Sequence, residues 1–253
     1  MNIRGFYTLF CKELLRFYKV AVQTILAPVI TALLYLLVFS HVLKEHIEVY
    51  PGVSYTAFLI PGLIMMAVIQ NSFANSSSSL IQSKYTGNIL FILLPPLSYL
   101  EFYLAFMAAA VVRGVAVGTG VLLTSLFFVD LPLHSTLYLL LFGIMSSATL
   151  GSMGIIAGVW ADKFDHLAGF QNFIIMPLSF LSGVFYSIHS LPEIWQTISH
   201  FNPFFYMIDG FRYSFFGQSD VDPLFSLSVV SLFLLILAST AMWILKSGYK
   251  LRN

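Results

Sequence analysis

The feature that most limits this chain is the spacing of its charges. No Asp, Glu, Lys or Arg lies between Lys19 and Lys44, and five further charge-poor intervals of similar reach follow. A helix needs about 20 mostly apolar residues to cross the hydrocarbon of a bilayer. The intervals therefore predict six spans, near residues 20–43, 57–74, 102–129, 137–160, 167–188 and 224–245. Pro28 predicts a kink in the first. The second is expected to leave the membrane through the serine-rich run from Asn75 to Ser79. Residues 189–223 carry too many prolines and turns for a plain span, and read as two short aromatic helices folded back into the outer leaflet.

Composition agrees. With 58% hydrophobic and 9% charged residues, the 253-residue chain cannot assemble a water-soluble surface. The expected fold is an all-α polytopic membrane protein forming a single transmembrane domain over residues 1–253. A net charge of +1 offers no basic face for nucleic acid, and the lone Cys11 cannot form an internal disulfide. Placing both termini inside puts nine of the Lys and Arg residues at the inner span ends and leaves Lys44 and Arg212 outside. Lys and Arg favour the cytoplasmic side of short flanks, so this orientation is the expected one.

The first 19 residues read as an amphipathic helix rather than a secretory signal, because charge persists to Lys19. At 100° per residue, Ile3, Phe6, Tyr7, Phe10, Leu14 and Phe17 share one side, and Arg4, Thr8, Lys12, Arg16 and Lys19 the other. Such a helix is expected to lie on the inner leaflet, as an anchor or a docking surface.

Chemistry is sparse. There is no G-x-x-x-x-G-K-[ST] loop for nucleotide phosphates and no H-E-x-x-H motif, and all six histidines fall at span ends or in loops. Ser182-Gly183 lacks the first glycine of an intramembrane serine site, since Phe180 stands there. No catalytic residue set, metal site or cofactor is expected on this chain.

Four features remain as carriers of function. Arg113 is the ionisable residue deep in an expected span, where a charge costs about 2.5–3.5 kcal/mol on insertion scales. It reads either as a contact in an anionic substrate's path or as a structural cation held by an amide such as Gln70 or Asn71. Small residues recur every four positions at Gly114 and Gly118, at Gly143, Ser147 and Gly151, and, at a shifted angle, at Gly154 and Gly158, which suits close helix packing. The inner segment 84–96 holds an apolar run, Ile89 to Leu94, too short to span and too apolar for a solvated loop, so the leaflet or a partner should cover it. Outside, Asn202 and Pro203 interrupt the hairpin, and Asp209 and Arg212 stand at helical i, i+3 spacing.

The string Pro177-Leu178-Ser179-Phe180-Leu181-Ser182-Gly183-Val184-Phe185-Tyr186, followed by Leu191-Pro192, Trp195, Phe201-Asn202-Pro203 and Gly210-Phe211-Arg212-Tyr213, resembles the C-terminal signature of the ABC transporter type-2 permeases. The span order, amphipathic start, apolar inner segment and re-entrant outer hairpin follow the same family pattern along the whole chain. Membership implies a homodimer in the bacterial inner membrane, bound to two copies of a separate ATPase that holds ATP and Mg. It implies export of a hydrophobic or lipid-linked substrate. It also implies that the inner loop, here Thr86, Gly87, Asn88, Ile89, Leu90 and Phe91 through Leu94, is the coupling helix seated in an ATPase cleft. The first and fifth spans of the two protomers would border the path. Many relatives carry carboxylates in the coupling segment where this chain has Leu90 and Phe91, so docking here is expected to rest on apolar contact. A stand-alone secondary transporter or channel is the alternative, and should show inverted repeats or coupling-ion carboxylates within spans; neither is visible in the sequence.

Overall fold

One helix organises the protein. In a computed structural model, which describes residues 2–43 and 48–250, helix α3 (Tyr55–Tyr85) runs unbroken through the middle of the bundle. Ser54 caps its start by accepting from the Ala57 amide, and Gly87, at φ +73°, turns the chain away just past its end. At 1.5 Å per residue it is about 46 Å long, so it overshoots a hydrocarbon core of about 30 Å. Lys44, His46 and Arg252 lie outside the described residues.

Around α3 stand α1 (Ile3–Lys19), α2 (Ala21–Leu43), α5 (Tyr99–Ser125), α6 (Thr136–Trp160) and α11 (Pro223–Ser247). Five of the described helices are long and apolar enough to cross a membrane: α2, α3, α5, α6 and α11. Their burial separates their roles. The apolar window of α3 is 83% buried, against 17% in α2 and in α11, so α3 is the core and those two present their surfaces to lipid or to another chain.

Two expectations change here. The serine-rich run is not an exit loop. Ser76, Ser77 and Ser79 are buried inside α3, and Ser77 and Ser78 bond back to the carbonyls of Phe73 and Ala74 one turn earlier. Serines that return their hydroxyls to the helix backbone behave as small residues, and small residues are what the neighbouring glycines need. A Cβ on Gly154 would lie 2.4 Å from the Phe73 carbonyl oxygen, and one on Gly158 would lie 2.8 Å from Leu80 Cβ. Gly114 and Gly118 meet Ser72 and Val68 as closely. The small-residue ladders thus hold α3, α5 and α6 together within one protomer. Gly143 does not take part, since its nearest neighbour stands 3.9 Å off.

The expected fifth span, 167–188, is also different. The helical run starts at Phe164 and comprises α7 (Phe164–Phe170), a π turn (Gln171–Ile175) and α8 (Met176–Phe180). Pro177 has no amide hydrogen to offer the carbonyl four residues back, and the register widens just before it, with the Met176 amide reaching the Gln171 carbonyl. The run ends at Phe180, and Gly183 at φ +74° reverses the chain. It is about 25 Å long, shorter than the uniform spans.

At one end of the bundle, Lys84 donates to the carbonyls of Val159 and Ala161, and Lys250 to that of Trp160, so two cations close the C-terminus of α6. Both also reach Asp162, at 3.4 and 2.6 Å, and the Lys250 hydrogen bond holds its carboxyl below the usual carboxylate range. This end carries α1 and the segment 84–96. The opposite end carries a small hairpin, β1 (Glu48–Tyr50) with β2 (Val53–Ser54), a short 3-10 turn (Ile188–Ser190), α9 (Glu193–His200) and α10 (Pro203–Phe216).

Candidate functional site

The inner segment folds as a short helix, α4 (Ile89–Leu93), launched by the Gly87 turn, with Asn88 at its N-cap. Ile89 turns inward, joining Leu9, Leu80, Phe102 and Phe106 in a cluster under α1, and the half-buried Ile92 packs against the same cluster. Leu90, Phe91 and Leu94 are 61%, 72% and 76% exposed. The helix is thus held by Ile89 and Ile92 and leaves an apolar surface of Leu90, Phe91 and Leu94 uncovered. Thr86, Gly87 and Asn88 are exposed beside it, and Thr86 returns its hydroxyl to the Gln82 carbonyl.

Burial along α3 is interrupted on one side. In the inner two thirds of the helix, the residues that are not buried are Gln70, Asn71, Ala74, Ser78, Gln82, Lys84 and Tyr85. Gln70 and Asn71 are adjacent, and Ala74, Ser78 and Gln82 follow at intervals of three or four, so the five make one continuous stripe down the helix. The stripe is polar except for Ala74, an unusual lining for the middle of a membrane. Arg113 lies against it: its Nη2 donates to Asn71 Oδ1 at 3.2 Å, while its Nε has no partner. Gln70 does not pair with Arg113. It borders a cavity of about 300 Å³ between α2, α3 and α8, which includes Pro28, Tyr35 and Met176, and its Nε2 is unpartnered.

The amphipathic helix is not a plain surface anchor. Its apolar side leaves Ile3 and Tyr7 exposed, whereas Leu9 and Glu13 are buried and Arg16 reaches across to α3. Arg16 donates to the Asn75 carbonyl at 2.6 Å, to Asn75 Oδ1 and to Ser78 Oγ. Glu13, fully buried, accepts from Arg16, Lys12 and Ser79. At its start, Asn2 donates its amide to Glu101, the same carboxylate that completes the capping box of α5 with Ser98. Sequence reasoning put Arg16 on the water side and overlooked Glu13. The available signal was Leu9-Glu13-Arg16 at i, i+4, i+7, a second stripe offset from the apolar one.

The outer hairpin also departs from expectation. The aromatic residues of α10 are not an interfacial belt, because Phe204, Phe205, Tyr206, Phe211 and Phe215 are buried in the main core, whereas Trp195 and Phe201 at α9 are exposed. Pro203 opens α10 after Asn202, which caps it by accepting from the Phe204 amide and ties it to α8 through the Leu178 carbonyl. Asp209 and Arg212 are both fully buried, yet they do not bond to each other. Asp209 accepts from the amides of Asp220 and Val221; Arg212 donates to the Gly183 carbonyl and lies 3.8 Å over the Phe58 ring. Asp220 in turn accepts from Tyr50, Ser187 and the Ile188 amide, and burial keeps the Tyr50 phenol well above its ordinary pKa. The hairpin is therefore wired into the body of the protein. Ser182 spends its hydroxyl on the Ser179 carbonyl.

The site thus has three parts: an exposed apolar helix at one end, a polar stripe along α3, and a hairpin braced by hydrogen bonds at the other end. The chain matches the family model of the ABC-2 type transporter over residues 4–216. It is 37% identical to the inner membrane transport permease YadH of Escherichia coli K12 over 246 residues, 97% of this chain and 96% of that protein. It is also 25% identical to nodulation protein J of Rhizobium leguminosarum bv. viciae, over 91% of this chain and 90% of that protein. Matched across most of its length by the family model, and nearly end to end by a relative of this identity, the chain belongs to the ABC-2 type transporter family, as a membrane permease subunit.

Proposed function

We propose that this permease exports a hydrophobic or lipid-linked substrate from a bacterial inner membrane, as a homodimer bound to two copies of a separate ATPase. Both termini face the cytoplasm, and ATP with Mg resides on the ATPase. The observation that carries this reading is α4, whose Leu90, Phe91 and Leu94 stand bare at the end of an α3 that overshoots the membrane. Exposed apolar clusters of this kind mark interaction sites. The chain has no phosphate-binding loop, so the energy must come through such a contact. Closure of the ATPase pair would push α4, and with it α3, switching the passage between two pre-existing states. The exposed α2 and the thin 164–180 run supply the faces on which a second protomer would seat. Arg113, Gln70 and Asn71 line the path, and the braced hairpin around Asn202, Pro203, Asp209 and Arg212 closes its outer end.

Co-expression with a neighbouring ATP-binding cassette ATPase, followed by detergent extraction and affinity capture of the permease, tests the assembly. The two chains are expected to co-purify in equal amounts, at the mass of a two-plus-two complex. Recovery of the permease without any such ATPase contradicts it.

A further inference from the structure

A cavity beside α1 has a charge arrangement that the transport reading alone does not explain. A cavity of about 550 Å³ lies between α1, α3 and α4, bordered by Lys12 and Arg16 on one wall, Ser79 and Gln82 on another, and Phe91 and Ile92 of α4 on the third. Lys12 and Arg16 both pair with Glu13, at 2.7 and 3.2 Å. Glu13 is sealed, with none of its side chain exposed, whereas the lysine is 42% and the arginine 24% exposed. One buried carboxylate thus stands behind two accessible cations, and the cavity faces an excess of positive charge.

The stripe on α3 leads away from this cavity to a second cation. Arg16 is held at Asn75 and Arg113 at Asn71, one helical turn or about 6 Å further along α3. Glu13 offsets Arg16, whereas Arg113 bonds the neutral amide of Asn71. Apolar residues beside the cations suit the chain of an amphiphile, and the cations suit its head.

Resting on the export reading, we propose that this cavity loads the anionic head, phosphate or carboxylate, of the transported amphiphile from the inner leaflet. Arg113 is the next station for that head. Because α4 forms one wall, the element that the ATPase would move is also a wall of the loading site.

The test uses the permease in phosphatidylcholine nanodiscs and two fluorescent single-chain probes, one with a phosphate head and one with an uncharged glycerol head. The phosphate probe is expected to bind about 10-fold tighter, the effect of one or two charge-assisted hydrogen bonds. Lys12→Gln should remove most of that preference and leave the glycerol probe unaffected. Arg16→Lys, which keeps the charge, should retain it. Arg113→Gln should carry the phosphate probe about 10-fold more slowly in vesicles that also hold the ATPase and ATP. Equal binding of the two probes overturns the proposal, as does displacement by inorganic phosphate at the same concentration. A phosphate probe that binds but is not moved by ATP to the opposite leaflet marks a resident lipid and also overturns it. The nanodisc measurement needs no ATPase, so its failure is distinguishable from failure of the complex to assemble.

Discussion

Phe91→Asp is expected to abolish ATP-driven transport while leaving the permease folded. Phe91 is 72% exposed, so its loss costs the protein about 0.5 kcal/mol or less. At the centre of a docking surface the same side chain is an aromatic anchor, and truncating such anchors costs about 2 kcal/mol or more of binding. Introducing an unpaired carboxylate into an apolar cleft adds a desolvation penalty. Together these weaken the contact by at least about 100-fold. The measurement is ATPase retained on affinity-captured permease, alongside substrate transport. Ile89→Asp is the informative contrast: Ile89 is 8% exposed and packs under α1, so that change should lower stability as well as coupling. A Phe91→Asp protein that retains its ATPase and transports normally contradicts the assignment of α4.

The second large effect is structural. Gly154→Leu should destabilise the bundle by about 3 kcal/mol or more, because its Cβ would meet the backbone oxygen of Phe73 at 2.4 Å and Ser76 Cβ at 3.1 Å. A backbone carbonyl cannot rotate away as a side chain can, so α6 must separate from α3. Gly143→Ala has nothing nearer than 3.9 Å to meet and should be neutral or slightly stabilising through helix propensity. Thermal unfolding in detergent checks both, and equal midpoints for the two variants would contradict the packing account. Since α3 carries the stripe and ends at α4, Gly154→Leu should also reduce transport.

The pair of predictions marks which parts of the molecule can be read from sequence. Long apolar helices are legible because the bilayer imposes length and apolarity on each one separately, and α6 is among the five described helices that meet both. Glycine ladders are legible for a related reason, since close approach in lipid tolerates few other residues. What escaped depends on partners distant in sequence. The serines of α3 look like a loop until Gly154 and Gly158 are seen against them. Glu13 and Arg16 look like a solvated pair until α3 is found to supply Asn75, Ser78 and Ser79. Asp209 and Arg212 have the spacing of a helical ion pair, yet the backbone amides at 220 and 221 and the ring of Phe58 claim them instead. The break after Phe180 was carried by Pro177 and Gly183, whose effect on register was not visible from hydropathy.

The central claim is that α4 is the contact through which a separate ATPase drives this permease. Its most direct measurement places a photo-crosslinking benzoylphenylalanine at Leu94, 76% exposed at the end of α4, and in a second protein at Trp243, 69% exposed on α11. After irradiation in membranes that contain the candidate ATPase, the adduct is identified by mass spectrometry of its phosphate-loop peptide. The account predicts an ATPase adduct from position 94 and none from position 243. No adduct from position 94, or equal adducts from both positions, would contradict it.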